Sequence, residues 1–146
     1  MSAADISGQC LCGAVRIVVS GDYDAWVGAC HCDLCRRWSG GLFLAFAARA
    51  DAVHVRGPVT RHASTDFAER AFCTTCGSHL WMRDTDRTEA DYDLMPGLFE
   101  ATRDWPLRSE IYADRALASA ALDGDHTRQS RAEYETTHPH IEGDLP

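Results

Sequence analysis

Apolar residues in this chain recur in short alternating or continuous runs punctuated by glycine and proline, and not at the three-to-four-residue spacing of an amphipathic helix. Ala14-Val15-Arg16-Ile17-Val18-Val19 ends at Ser20-Gly21 and predicts a strand. Leu42-Phe43-Leu44-Ala45-Phe46 has the pattern of a buried strand, and Ala52-Val53-His54-Val55-Arg56 alternates up to Gly57-Pro58. Residues 68–72, His79-Leu80-Trp81-Met82, Tyr92-Asp93-Leu94 and Ile111-Tyr112-Ala113 predict further strands, separated by a solvated loop at 84–91 and a turn at Pro96-Gly97. Only the alanine-rich residues 114–122 predict a short helix. After Asp123 the chain turns polar, with His126, His138 and His140 among charges, so residues 123–146 read as a weakly packed tail behind a domain at 6–122. The expected fold class is mainly β, with short antiparallel strands in a sandwich or folded-over sheet.

Composition narrows the classes. A chain of 146 residues, 45% of them hydrophobic, suits a single core. Its 14 basic and 22 acidic residues leave a net charge of −8, and no basic stripe marks a nucleic-acid partner. The first residues lack a basic stretch followed by an apolar one, and the apolar run at 42–48 is too short to span a bilayer. A cytoplasmic protein with no membrane partner is therefore expected. In a reducing compartment seven cysteines suit metal ligation better than disulfides, and an odd number could not all pair within one chain.

The cysteines fall into three motifs. Cys30-His31-Cys32-Asp33-Leu34-Cys35 brings three thiols together from a single loop, and three sulfurs leave a zinc ion one position for water or a substrate. The competing reading is a closed structural site completed by His31 or a distant histidine. Cys10-Leu11-Cys12-Gly13 and Cys73-Thr74-Thr75-Cys76-Gly77 together supply four sulfurs, enough to close a structural zinc shell that ties distant segments. Buried free cysteines acting as small hydrophobes are the alternative. Trp38-Ser39-Gly40-Gly41 reads as a turn, or as a place where backbone amides approach a ligand.

The order Gly8-x-Cys10-x-Cys12-Gly13-x-Val15, Cys30-His31-Cys32-x-x-Cys35-Arg36 and Phe72-Cys73-x-x-Cys76-Gly77-Ser78 resembles the glutathione-dependent formaldehyde-activating enzyme family, which also includes centromere protein V. The resemblance covers residues 8–122. It implies a β-tent fold stapled by zinc-cysteine knuckles and two zinc ions. One is structural, on Cys10, Cys12, Cys73 and Cys76; the other is labile, on Cys30, Cys32 and Cys35, where a thiol can join. The chain departs from the family pattern at Glu110, where many members carry a histidine, and at Ala116-Leu117-Ala118, where a tryptophan is usual. The family's glutathione specificity therefore transfers least through this part.

The implied activity is that of a zinc-dependent carbon-sulfur lyase acting on an adduct between an aldehyde and glutathione or another small thiol, such as S-hydroxymethylglutathione. A free thiol with a pKa of about 8.5 is mostly protonated at neutral pH, and zinc ligation supplies the thiolate. Arg36 and Arg37 are the candidates to receive glutathione carboxylates; alternatively they are a solvated pair balancing thiolate charge. His31 is expected to face solvent between ligands and not to carry protons, and His79 to be a plain strand residue. The rival to the enzyme is a non-catalytic zinc-stabilised binding module of the same fold. A nucleic-acid or cytoskeletal adaptor would need a basic extension, for which the acidic balance gives no basis, and a homo-oligomer is left open.

Overall fold

A computed structural model describes residues 4–141. In chain order the strands are β1 (Ile6–Gln9), β2 (Arg16–Val19), β3 (Val27–Cys30), β4 (Phe43–Ala48), β5 (Val53–Arg56) and β6 (Val59–Ala63), then β7 (Ala68–Cys73), β8 (His79–Asp84), β9 (Tyr92–Leu94), β10 (Leu107–Ile111) and β11 (Thr127–Arg128). Two short helices accompany them, α1 (Asp33–Ser39) and α2 (Arg131–Thr137). The fold is thus mainly β. Its described residues form two compact units, 4–26 with 45–105 and 27–44 with 106–141.

In the first unit β1, β2 and β5 form an antiparallel sheet in the order β1-β2-β5, and β4, β9, β8, β7 and β6 follow one another in a second antiparallel ladder. The alternation read in Arg16-Ile17-Val18-Val19 is physical: Ile17 and Val19 are fully buried while Arg16 and Val18 face outward. Their inward residues join Val15, Phe46, Leu80, Trp81 and Leu94 in one core. The ring of Phe46 meets Phe99 and Trp105 edge to face, at centroid distances of 5.2 and 5.1 Å, a geometry that suits the aromatic quadrupole. Gly57 closes the β5–β6 turn at φ +115°, and a Cβ there would lie 2.2 Å from the Ala14 carbonyl oxygen, so the turn requires glycine.

The second unit departs from the antiparallel expectation. Strand β10 pairs in parallel with β3 on one side and with β11 on the other. Its sequence, Leu-Arg-Ser-Glu-Ile, carries too few apolar residues to register as a strand, and only Ile111 of the predicted Ile111-Tyr112-Ala113 strand belongs to it. Tyr112 follows at φ +54°, in the left-handed region, which ends the strand. The helix expected over residues 114–122 is replaced by two 3-10 turns, Ala113–Arg115 and Ala118–Ala120; alanine propensity alone does not nucleate a helix without a packed face.

The stretch expected to be a weakly packed tail instead carries β11 and α2, while residues 142–146 lie outside the described residues. A capping box starts α2, with the Ser130 side chain accepting from Glu133 N–H and the Glu133 carboxylate accepting from Ser130 N–H. Glu135 on this helix accepts a hydrogen bond from the buried Tyr112 hydroxyl at 2.9 Å. None of the helices among the described residues is long and apolar enough to cross a membrane.

Candidate metal centres

Among the described residues two groups of metal-capable side chains have ligand atoms that all lie within 4.8 Å of one another: Cys10, Cys12, Cys73 and Cys76 in the first unit, and Cys30, Cys32 and Cys35 in the second. All seven cysteines singled out from spacing are therefore brought together, in the predicted grouping.

The four-sulfur group is built from two glycine-closed turns. After β1, the Cys10 carbonyl accepts from Gly13 N–H at 3.1 Å, and the Cys10 Sγ accepts from Val15 N–H at 3.3 Å. After β7, the Cys73 carbonyl accepts from Gly77 N–H at 2.8 Å, and the Cys73 Sγ accepts from Cys76 N–H at 3.4 Å. Gly13 and Gly77 both take the left-handed conformation, at φ +79° and +77°, which bends each chain back on its sulfurs. Ser78 joins the turns, its hydroxyl accepting from Leu11 N–H at 2.9 Å and lying 3.2 Å from the Cys76 Sγ.

The Cys10–Cys12 and Cys12–Cys73 sulfur separations are 3.6 and 3.9 Å. Tetrahedral zinc with bonds of about 2.3 Å places its sulfurs about 3.8 Å apart, so this donor set fits zinc. The electrostatics of the bare thiols agree. Hydrogen bonds from Ser78 hold Cys76 down at about 5, whereas for Cys12 a lowering hydrogen bond from Ala14 is outweighed by burial and the neighbouring thiols, which push it up to about 11. Four thiolates cannot coexist at this spacing without a cation.

The three-sulfur group sits where β3 runs into α1. Cys30 ends the strand, Cys32 is the N-cap of the helix, and Cys35 lies in its first turn, donating its N–H to the Cys32 Sγ at 3.3 Å. The motif expected as a loop is thus half helical: an extended Cys32 followed by a helical turn swings Cys35 onto the same side. Gly40 in the left-handed conformation caps the helix, so Trp38-Ser39-Gly40-Gly41 is a helix end and turn. Cys32 and Cys35 are buried, and the adjacent Cys32 and Cys35 thiols push Cys30 well above its ordinary value. Among the described residues no histidine nitrogen joins this group.

His31 departs from expectation. It is buried, and its Nε2 lies 2.8 Å from the Glu110 Oε1, because the parallel β3–β10 pairing turns this ring onto β10 and away from solvent. Glu110 also contacts His126 and Arg128, neither of which sequence reasoning placed near the cysteines. Burial pushes the Glu110 carboxyl up, but hydrogen bonds from His126 and His31 outweigh it and hold it below its usual range. Arg36 lies 3.5 Å from Asp33, which also takes Arg115 at 3.1 Å, while Arg37 is exposed. His79 opens β8, where burial, with Arg70 nearby, lowers its pKa.

The profile of the glutathione-dependent formaldehyde-activating enzyme family matches residues 5–115, which contain both sulfur groups. The chain belongs to that family. An uncharacterised lyase of Schizosaccharomyces pombe is 34% identical over 83 residues, covering 56% of this chain and 60% of the relative. A Halomonas elongata relative that bears the family's name is 33% identical over 90 residues, covering 54% of this chain and 56% of its own length. The chain thus spans less than two thirds of the length of either relative. A crystal structure of a Rhodobacter sphaeroides protein superposes with a TM-score of 0.53 at 29% identity, covering 70% of this chain and 99% of that one. The chain continues past the segment matched by the family profile, into the part that carries His126, Arg128 and α2.

Proposed function

We propose that this chain is a zinc-dependent carbon-sulfur lyase, or acts in the reverse direction to form the same bond, on the adduct of an aldehyde with glutathione or another small thiol, such as S-hydroxymethylglutathione. The proposed ligands are Cys10, Cys12, Cys73 and Cys76 for a structural zinc and Cys30, Cys32 and Cys35 for a labile one. The observation that carries the reading is the contrast in donor count: four clustered sulfurs in one unit, three in the other. When bound at the three-sulfur group, zinc would hold a small thiol as thiolate at neutral pH.

In the forward direction the adduct's C–S bond breaks, the aldehyde C=O forms, the hydroxyl proton passes to solvent water and the sulfur departs as thiolate. Arg36 and Arg37 are the proposed receivers of glutathione carboxylates, being one and two residues beyond Cys35. Asp33 shares the Arg36 guanidinium, which orients it while leaving its other donors available. His31, engaged by Glu110, is assigned no proton transfer to substrate.

Cobalt-substituted protein tests the reading. Glutathione should intensify the thiolate-to-metal charge-transfer bands of the parent protein and not of Cys32→Ala, while S-methylglutathione should leave them unchanged. In the same titration Arg36→Ala should weaken glutathione more than cysteamine, which has no carboxylate. Bands indifferent to millimolar glutathione would sink the lyase reading and leave the binding module of the same fold in its place.

A further inference from the structure

A buried carboxylate beside the three-sulfur loop has more partners than a strand residue needs. The two oxygens of Glu110, a side chain only 4% exposed, receive the His31 ring, the His126 ring and the Arg128 guanidinium, the last at 3.1 Å. An ionised carboxylate only accepts hydrogen bonds, so both imidazoles donate from Nε2. Arg128 balances the charge, which makes the burial tolerable, since a lone carboxylate out of water is strongly disfavoured.

The backbone repeats the arrangement. Ile111 pairs with Cys30, and the His31 N–H continues the ladder to the Ile111 carbonyl at 3.1 Å. From the far side Gln129 N–H donates to the Glu110 carbonyl at 2.8 Å. The residue between Cys30 and Cys32 is therefore held by both its main chain and its ring, and its rotation would turn both sulfurs. Fixing a ligand loop through hydrogen bonds one step removed from the metal is how such loops keep their geometry.

The geometry points to Glu110 as a positioning residue for the three-sulfur centre, acting through His31 and supported by His126 and Arg128 from beyond the residues 5–115 that the family profile covers. This rests on the metal assignment proposed above for Cys30, Cys32 and Cys35. It makes the polar C-terminal segment part of the site.

Cadmium-substituted protein separates the two centres, since a four-sulfur and a three-sulfur site give distinct cadmium-113 resonances and Cys35→Ser identifies the latter by its loss. Glu110→Gln, which sets an amide N–H against an imidazole N–H, should make the three-sulfur resonance yield to a competing chelator about 10- to 100-fold more readily. His126→Gln should act in the same direction. The four-sulfur resonance should be retained as in the parent. Equal retention of both ions would overturn the inference, and so would a parallel weakening of both together with a fall in melting temperature, the mark of a merely structural role. If the parent binds a single ion, the open-centre reading fails on its own account. Amide hydrogen exchange over residues 30–36 then decides: acceleration confined to this loop in Glu110→Gln supports positioning, and unchanged exchange refutes it.

Discussion

At the scale of single residues, the charges that matter are those the fold turns inward. Asp93 on β9 pairs with Ala47 and Met82, on the face of the ladder opposite the buried Trp81 and Leu94. Burial pushes its carboxyl up to about 7, with Asp84 and Asp91 adding repulsion and Arg70 offsetting part of it. Below an unfolded value of 3.8 both states hold the proton and Asp93 contributes no pH dependence. Between there and about 7 the folded chain keeps a proton that the unfolded chain releases, so stability falls as pH rises and the cost is complete above pH 7. Asp93→Asn should therefore melt higher than the parent at pH 8, with the gain shrinking towards zero below pH 5; each pKa unit of displacement corresponds to about 1.4 kcal/mol. A difference in melting temperature that did not vary with pH would refute this account. Nothing in the alternation of Tyr92-Asp93-Leu94 distinguishes such an aspartate from an ordinary outward-facing one, because its environment is supplied by β7 and β8.

At the scale of elements, what the chain reveals in advance depends on whether an element announces itself by apolar period. Strands β2 and β8 bury alternate or continuous apolar side chains, β5 half-buries Val53 and Val55, and all three are legible, as is the grouping of the cysteines, since ligand spacing is a local property. Strand β10 and helices α1 and α2 are not. Each is short and polar and is held by partners distant in sequence: β10 by β3, and α2 by the Tyr112 hydroxyl and the tilted Tyr112–Tyr134 ring contact at 5.6 Å. Arg115, His126 and Arg128 come to the three-cysteine unit through these elements, which is why sequence spacing could not nominate them. The Ser130–Glu133 capping box was a readable signal, present in Ser-x-x-Glu without an apolar run behind it. Ser130→Ala should cost about 1 kcal/mol of local stability. Amide exchange over residues 131–137 should accelerate accordingly while β7 and β8 exchange as in the parent; uniform protection would show that Tyr112 and Glu135 hold the helix without its cap.

At the scale of the whole molecule, the sulfur groups divide between the two units, so their contributions separate. The four-sulfur group joins residues 61 positions apart, Cys12 and Cys73, and with them the end of β1 and the β7–β8 hairpin. Binding a structural zinc in such a group is worth roughly 10–16 kcal/mol at neutral pH. That is comparable to the whole stability of an ordinary domain, about 5–15 kcal/mol. With zinc bound there as proposed, the aromatic core around Phe46 and Trp81 would not have to hold the first unit closed by itself. Cys73→Ser removes the most deeply buried of the four sulfurs and leaves three charged ligands without closure, and the variant should unfold or precipitate. Cys35→Ser touches only the second unit. It should remain folded, with the far-ultraviolet circular dichroism of the parent and about one zinc ion fewer per chain by metal analysis. Were Cys73→Ser to melt at the temperature of the parent, or Cys35→Ser to lose its β signal cooperatively, the assignment of structural and open roles to the two groups would be wrong.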